Sequence, residues 1–242
     1  MKFWTGEWKA QSGENACYQQ SRCLLSAIGE IIKCAMSNDV PTPINFHDPE
    51  DVNTWIEETA RKRPWRPEFF NAYVEMLNKR FHHPFSILEL GAGPGLLAQQ
   101  ILASCAIRTF VVLDFSAAML SVARHKLEPF RERTRFVQRD FRSTNWVDGM
   151  GDYDAVVSMQ AVHEVRHKQH IPALLDEIYK LLVRNGLFLF CDHYSEPDNG
   201  SKNPDLYLTR EDQGQALLNA RFGKVECVLD KGGMALWSAT KF

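Results

Sequence analysis

The 242-residue chain has no apolar run long enough to span a membrane, and its first residues, Met1-Lys2-Phe3-Trp4-Thr5, lack the hydrophobic stretch of a signal peptide. A cytoplasmic protein without a membrane partner is therefore expected. The six cysteines, at 17, 23, 34, 105, 191 and 227, form no C-x-x-C pair and are too sparse for a disulfide scaffold, so reduced thiols are the simpler reading. Charge of one sign is also missing. Twenty-eight Lys and Arg stand against thirty Asp and Glu, a net charge of −2, so no overall field draws the chain to nucleic acid or an anionic membrane. No metal site is expected: His167 and His170 with Glu164 have helix-like spacing, but no further ligand lies nearby. What is present is a globular composition, 45% apolar and 11% aromatic, sufficient for one large α/β domain with a small appendage.

The first eighty residues read as helical. Over 23–35, apolar Leu24, Ala27, Ile28, Ile31, Ile32 and Ala35 share one helical face. Residues 38–49, rich in Pro, Asp and Asn, end that helix; a second starts near Pro49 and a third at Pro67, stopping before His82-His83-Pro84. From Phe85 the pattern changes to short apolar runs alternating with helical stretches. Strands are expected at 86–90, 109–113, 135–138, 155–158 and 187–191, covered on both faces. Helices fit at 95–103, at 116–126 with Ser116 as N-cap, at 171–183 closed by Asn185-Gly186, and at 209–220. Residues 224–230 and 234–240 flank a Lys231-Gly232-Gly233 turn, an antiparallel hairpin. The fold class is thus α/β, a doubly wound, mostly parallel sheet with a C-terminal hairpin. Its domains are an N-terminal helical cap over 1–83 and a core over 84–242.

The chemistry is written at strand ends. The first strand runs Ile87-Leu88-Glu89-Leu90 into Gly91-Ala92-Gly93-Pro94-Gly95, where glycines let the backbone approach a ligand closely beside the free N–H groups of a helix start. A dinucleotide fingerprint would need glycine at position 96, which is Leu96. Glu89 would also repel a phosphate, so a cationic ligand fits the loop better. Asp114 ends the second strand, where an acid can accept ribose hydroxyls. Asp140-Phe141 follows the third, with an aromatic ring able to lie against a purine. The fourth opens into Ser158-Met159-Gln160-Ala161-Val162-His163.

Taken together, these motifs resemble the class I S-adenosylmethionine-dependent methyltransferase family over residues 85–242. The resemblance implies a Rossmann-like sheet of seven strands and S-adenosyl-L-methionine as cofactor, with S-adenosyl-L-homocysteine as product. It assigns Glu89, Gly91, Ala92, Gly93 and Gly95 to the methionine side, and Asp114, Phe115 and Met119 to the ribose side. Asp140 and Phe141 fall to adenine, with Met159 and Gln160 closing the fourth-strand edge. Residues 153–158 resemble the family's fourth-strand motif, 186–190 its fifth strand and 222–240 its closing hairpin. Arg221 departs from the glycine that many relatives carry there. No part of residues 1–80 shares the resemblance, although it implies that the N-terminal cap is the substrate segment.

The expected activity is in-line methyl transfer to an oxygen, nitrogen or carbon of a small molecule. An Asn/Asp-Pro-Pro-Tyr/Phe motif is absent after the fourth strand, where Gln160 stands, which argues against a base-modifying enzyme. His163 and His193 are the candidate catalytic bases, and Arg66, Tyr73, His163 and Tyr194 the candidate substrate contacts. The basic run Arg61-Lys62-Arg63-Pro64-Trp65-Arg66 is read as a solvated linker before an anion contact, and Cys191 as core. Alternatives are a non-catalytic methyltransferase-like binding subunit and an enzyme acting on tRNA or protein. Nothing in the sequence points to an oligomeric state.

Overall fold

The computed structural model describes residues 39–196 and 203–242, and from Val40 onward the chain forms one compact unit. The expected helix over 23–35, with Trp4, Trp8, Cys17, Cys23 and Cys34, lies outside the described residues. Two helices come first, α1 (Pro49–Lys62) and α2 (Arg66–Arg80). The alternating part follows as β1 (Phe85–Leu90), α3 (Leu96–Ser104), β2 (Ile107–Asp114), α4 (Ala117–Lys126) and β3 (Thr134–Gln138). It continues as β4 (Tyr153–Met159), α5 (Ile171–Leu181), β5 (Leu182–His193), α6 (Arg210–Asn219), β6 (Gly223–Lys231) and β7 (Met234–Thr240). Local chemistry explains the starts. Asp48, Ser116 and Thr209 cap their helices by accepting the backbone N–H of Glu50, Met119 and Asp212, and α1 carries Glu50 and Asp51 in its first turn.

The seven strands form one sheet in the order β3-β2-β1-β4-β5-β7-β6, parallel except where β7 runs against β5 and β6. This is the Rossmann-like methyltransferase architecture expected from the sequence. Strand period 2 splits the core into two layers. Ile87, Val112, Val157 and Leu189 face α2, α3 and α4, burying Phe69, Tyr73, Ile101 and Leu120. Leu88, Val111, Val156 and Phe188 face α5 and α6, burying Leu174, Ile178 and Leu217. Each fully buried side chain of this kind contributes ~1.5–3 kcal/mol of transfer free energy. The Tyr73 hydroxyl donates to the Ser158 carbonyl (2.6 Å), fastening α2 to the tip of β4.

Two expectations need correction. The fifth helix was expected to reach residue 183, but it stops at Leu181. Leu182 already pairs with Tyr153, and Asn185 and Gly186 pair with Lys241, so ladder bonds win over continuation of the helix. The third strand was expected to be covered on both faces, yet β3 is an edge strand, with Arg135 and Gln138 exposed.

Candidate active site

The connections reverse direction between β1 and β4, and a crevice opens at the carboxyl ends of such a pair. The glycine loop lies there. Gly91, Gly93 and Gly95 all have positive φ (62°, 55° and 76°), which only glycine adopts without strain. At Gly91 the reason is close packing as well, because an added Cβ would stand 2.3 Å from the Ala161 Cβ. At Gly93 an added Cβ meets nothing within 4 Å, since this residue faces open cavity. The Asp114 carboxylate at the tip of β2 accepts from the Gly93 N–H (2.8 Å) and the Ser116 N–H (2.9 Å). Burial raises its pKa to about 6, the two backbone hydrogen bonds opposing the shift.

The cavity measures about 370 Å³. Gly91, Gly93, Asp114, Phe115, Met119, Phe141 and Gln160 line it together with Arg63, His163, Glu164, His193 and Tyr207. Residues 40–46 form a strap along it. The strap is tied by Val40 N–H to the Arg166 carbonyl (2.7 Å), by Arg166 Nε and Nη2 to the carbonyls of Val40 and Pro41 (both 2.8 Å), and by the Ser116 hydroxyl to the Phe46 carbonyl. An aromatic wall accompanies it, Phe46 meeting Trp55 and Phe115 edge to face at 5.8 and 6.0 Å.

Several residues singled out in the sequence lie off this wall. Ala92 and Gly95 build the turn behind it, and Met159 is buried at the end of β4. Glu89 is fully buried beneath the loop, and its Oε2 has no hydrogen-bond partner. Burial raises Glu89 to about 8, the Asp114 charge adds to this, and Arg66 opposes it. Arg66 Nε is likewise buried without a partner. Asp140 is held by Arg142 through a bidentate pair, Nη2 to Oδ2 (2.7 Å) and Nε to Oδ1 (3.1 Å), Tyr73 is committed to Ser158, and the Tyr194 hydroxyl donates to Asp230 (3.0 Å).

The two histidines have different surroundings. His163 donates from Nδ1 to Asp192 (2.8 Å), and its Nε2 lies 3.3 Å from Glu164. Burial alone would lower its pKa, but Asp192 and then Glu164 outweigh that and raise it to about 9, so the ring is an imidazolium at neutral pH. Around it, Arg166 pairs with Glu164 (2.9 Å), and Asp192 also accepts the backbone N–H groups of His163 and His193. His193 Nδ1 faces the Gly233 carbonyl (3.3 Å), which can only accept, while Nε2 faces the Arg63 guanidinium (3.3 Å), which can only donate. Nδ1 thus points at an acceptor and Nε2 at a donor. Gln160 Nε2 also lies 2.9 Å from that nitrogen.

Sequence reading did not select Arg63, Glu164, Tyr207, Trp55 or the strap. Arg63 stood in a basic run that reads equally well as a solvated linker, and Tyr207 in a polar loop with no periodic signal. Glu164 and Asp192 are adjacent to His163 and His193, and that adjacency was the available clue.

Residues 87–186 match the family model described as a methyltransferase domain. No curated protein matches the chain in sequence. Among solved structures, an O-methyltransferase family protein from Burkholderia thailandensis superposes with a TM-score of 0.66 at 14% identity, over 81% of this chain and 60% of that one. An O-methyltransferase family 2 protein from Planctomyces limnophilus in complex with apigenin gives 0.63 at 17%, over 81% and 62%. PigF with SAH gives 0.55 at 15%, over 80% and 61%. The chain thus spans about 60% of the length of these proteins, and at such identities the likeness is one of fold.

Proposed function

We propose, from the premise that this chain belongs to the class I S-adenosylmethionine-dependent methyltransferase family, that it transfers a methyl group to a small-molecule acceptor at the crevice between β1 and β4. One observation carries the reading: the open face of Gly93 and the buried Asp114 carboxylate share a cavity with the polar cluster of His163, His193, Arg63 and Tyr207. The residues present fit a cationic nucleoside. Asp114 retains acceptor capacity for ribose hydroxyls beyond its two backbone bonds. Phe115 and Phe141 offer faces or edges to adenine, and the unpartnered Glu89 oxygen lies under the loop that the methionine moiety would occupy. Asp140, tied to Arg142, reaches the adenine only through the loop it shapes.

When bound, S-adenosyl-L-methionine supplies a methyl group on a cationic sulfur, open to attack by a lone pair aligned behind it. The task left to the chain is placement. Holding two reacting atoms ~3–3.5 Å apart contributes roughly 7–11 kcal/mol by orientation. The strap and the aromatic wall cover part of the cavity, and water displaced from beneath them by a ligand would strengthen the electrostatic contacts inside. His163, charged and clamped between two carboxylates, has no lone pair for a proton at neutral pH. His193 Nε2 faces a donor, and this nitrogen is the group that would accept a proton from an oxygen or nitrogen acceptor.

Calorimetry with S-adenosyl-L-homocysteine tests the reading. The protein is expected to bind in the micromolar range, and Asp114→Asn to weaken binding by ~10- to 100-fold, the loss typical of a charged hydrogen-bonding partner. A folded protein that takes up no S-adenosyl-L-homocysteine would sink the assignment. Binding without transfer of labelled methyl to any small-molecule pool would instead mark a non-catalytic relative or a macromolecular acceptor.

A further inference from the structure

The guanidinium of Arg63 stands out among the charges of the cavity. It lies at the end of α1, with its backbone N–H bonded to the Thr59 carbonyl (3.1 Å) and its side chain turned toward the cavity. Its contacts are Nε2 of His193 at 3.3 Å and the Thr59 hydroxyl at 3.5 Å, and among the described residues no carboxylate lies within ion-pair distance. Of the other carboxylates around the cavity, Asp114 is bonded to the Gly93 and Ser116 N–H groups, and the remaining two are paired with other cations. His163 and Arg166 are matched by Asp192 and Glu164, each joined to its partner at 2.8–3.3 Å. Arg63 is largely buried, which lowers its pKa while Tyr207 and Asp192 act in the opposite sense, so its charge is held partly out of water with no carboxylate in direct contact among the described residues. A second guanidinium, that of Arg66, lies close enough to act on it and is itself without a salt bridge.

A largely buried guanidinium that faces a cavity without a direct ion pair is costly unless a ligand supplies a closer anion. We propose that Arg63 binds a carboxylate of the methyl acceptor, so that the substrate is a small carboxylic acid whose nucleophile is a separate group. The inference rests on the methyltransferase reading for which part of the cavity the acceptor fills. The position agrees with that role: Arg63 touches His193 at the tip of β5, whereas the groups that suit the nucleoside gather on the glycine loop and the tip of β2. The fork of N–H groups matches a carboxylate in a bidentate manner. A phosphate fits worse, because its second negative charge would face Glu164, Asp192 and Asp114. The cofactor adds net positive charge beside Arg63, which favours an anionic acceptor further.

Benzoate and its neutral isostere benzamide probe the subsite, titrated calorimetrically into the full chain with and without S-adenosyl-L-homocysteine. Benzoate is expected to bind at least tenfold more tightly than benzamide, and inorganic phosphate to compete poorly. Arg63→Gln should abolish the preference while changing the affinity for S-adenosyl-L-homocysteine by less than threefold. Arg63→Lys, which keeps the charge without the fork, should restore part of it. Equal binding of benzoate and benzamide by the unaltered protein would overturn the inference. So would a tenfold loss of S-adenosyl-L-homocysteine affinity in Arg63→Gln, because Arg63 would then hold the cofactor's own carboxylate. Failure of the unaltered protein to bind S-adenosyl-L-homocysteine at all is a different result, and it strikes the methyltransferase reading.

Discussion

His163 and His193 are thirty residues apart in sequence and neighbours in the cavity, with ring centroids 6.2 Å apart, yet His163 faces two carboxylates and His193 a carbonyl and a guanidinium. The His163 imidazolium is a stability element with a definite pH window. Its folded pKa, about 9, lies above the ordinary histidine value of 6.5, so its contribution is complete below pH 6.5 and is lost as pH rises through 9. Denaturant melts of the ligand-free protein should therefore show stability falling over that window, with a shallower slope in His163→Gln, and the ring carbons should titrate near pH 9 by NMR. A midpoint near 6.5 would show that Asp192 and Glu164 do not hold the proton. The residue scale is also where the sequence was least legible. Histidine, acid and glycine could be placed at strand ends from periodicity. Whether a side chain ends in the cavity or in a private ion pair depends on neighbours far along the chain. Asp140 and Arg63 show both directions: the first is taken by Arg142, while the second, in a run resembling a linker, is left facing the cavity.

Among the elements, the β1–α3 turn carries the most constraint, and its glycines separate folding from binding. Gly91→Ala sets a Cβ 2.3 Å from that of Ala161 on a backbone with φ of 62°, so the variant must displace the β4 tip. A loss of more than 2 kcal/mol, from overpacking added to left-handed strain, is expected on the scale of ~1–3 kcal/mol for each. Gly93→Ala bears the strain alone, ~1–2 kcal/mol, but its methyl enters the cavity. Thermal melts should rank Gly91→Ala as the less stable variant, while Gly93→Ala, still folded, should show the clearer loss of S-adenosyl-L-homocysteine binding relative to its stability. Equal affinity in Gly93→Ala and the unaltered chain would place the ligand elsewhere. These elements were read from sequence with small errors because their signals are local: period 2 in strands, an N-cap at Ser116, and glycines where φ is positive. The strap over 40–46 has no period of its own, and its placement depends on Arg166, more than 120 residues away.

For the whole molecule, the sheet order brings residues from widely separated stretches of chain into one cavity, so binding there should stabilise the entire unit and not a single loop. The strap, the glycine turn, and the tips of β2, β4 and β5 each lose part of the site if any neighbour unfolds. A ligand that binds only the folded state adds RT ln(1 + [L]/Kd), about 2.7 kcal/mol at a hundredfold excess over Kd. For a domain of this size each kcal/mol shifts the midpoint by roughly 2–4 °C, so saturating S-adenosyl-L-homocysteine should raise Tm by roughly 5–10 °C as one cooperative transition. Adenosine, which lacks the methionine side, should give a smaller shift, and Asp114→Asn should lose most of both. Two transitions, with only one moving, would mean that α1 and the strap unfold independently of the sheet. The cavity would then need a separate closing step before it could hold an acceptor against Arg63.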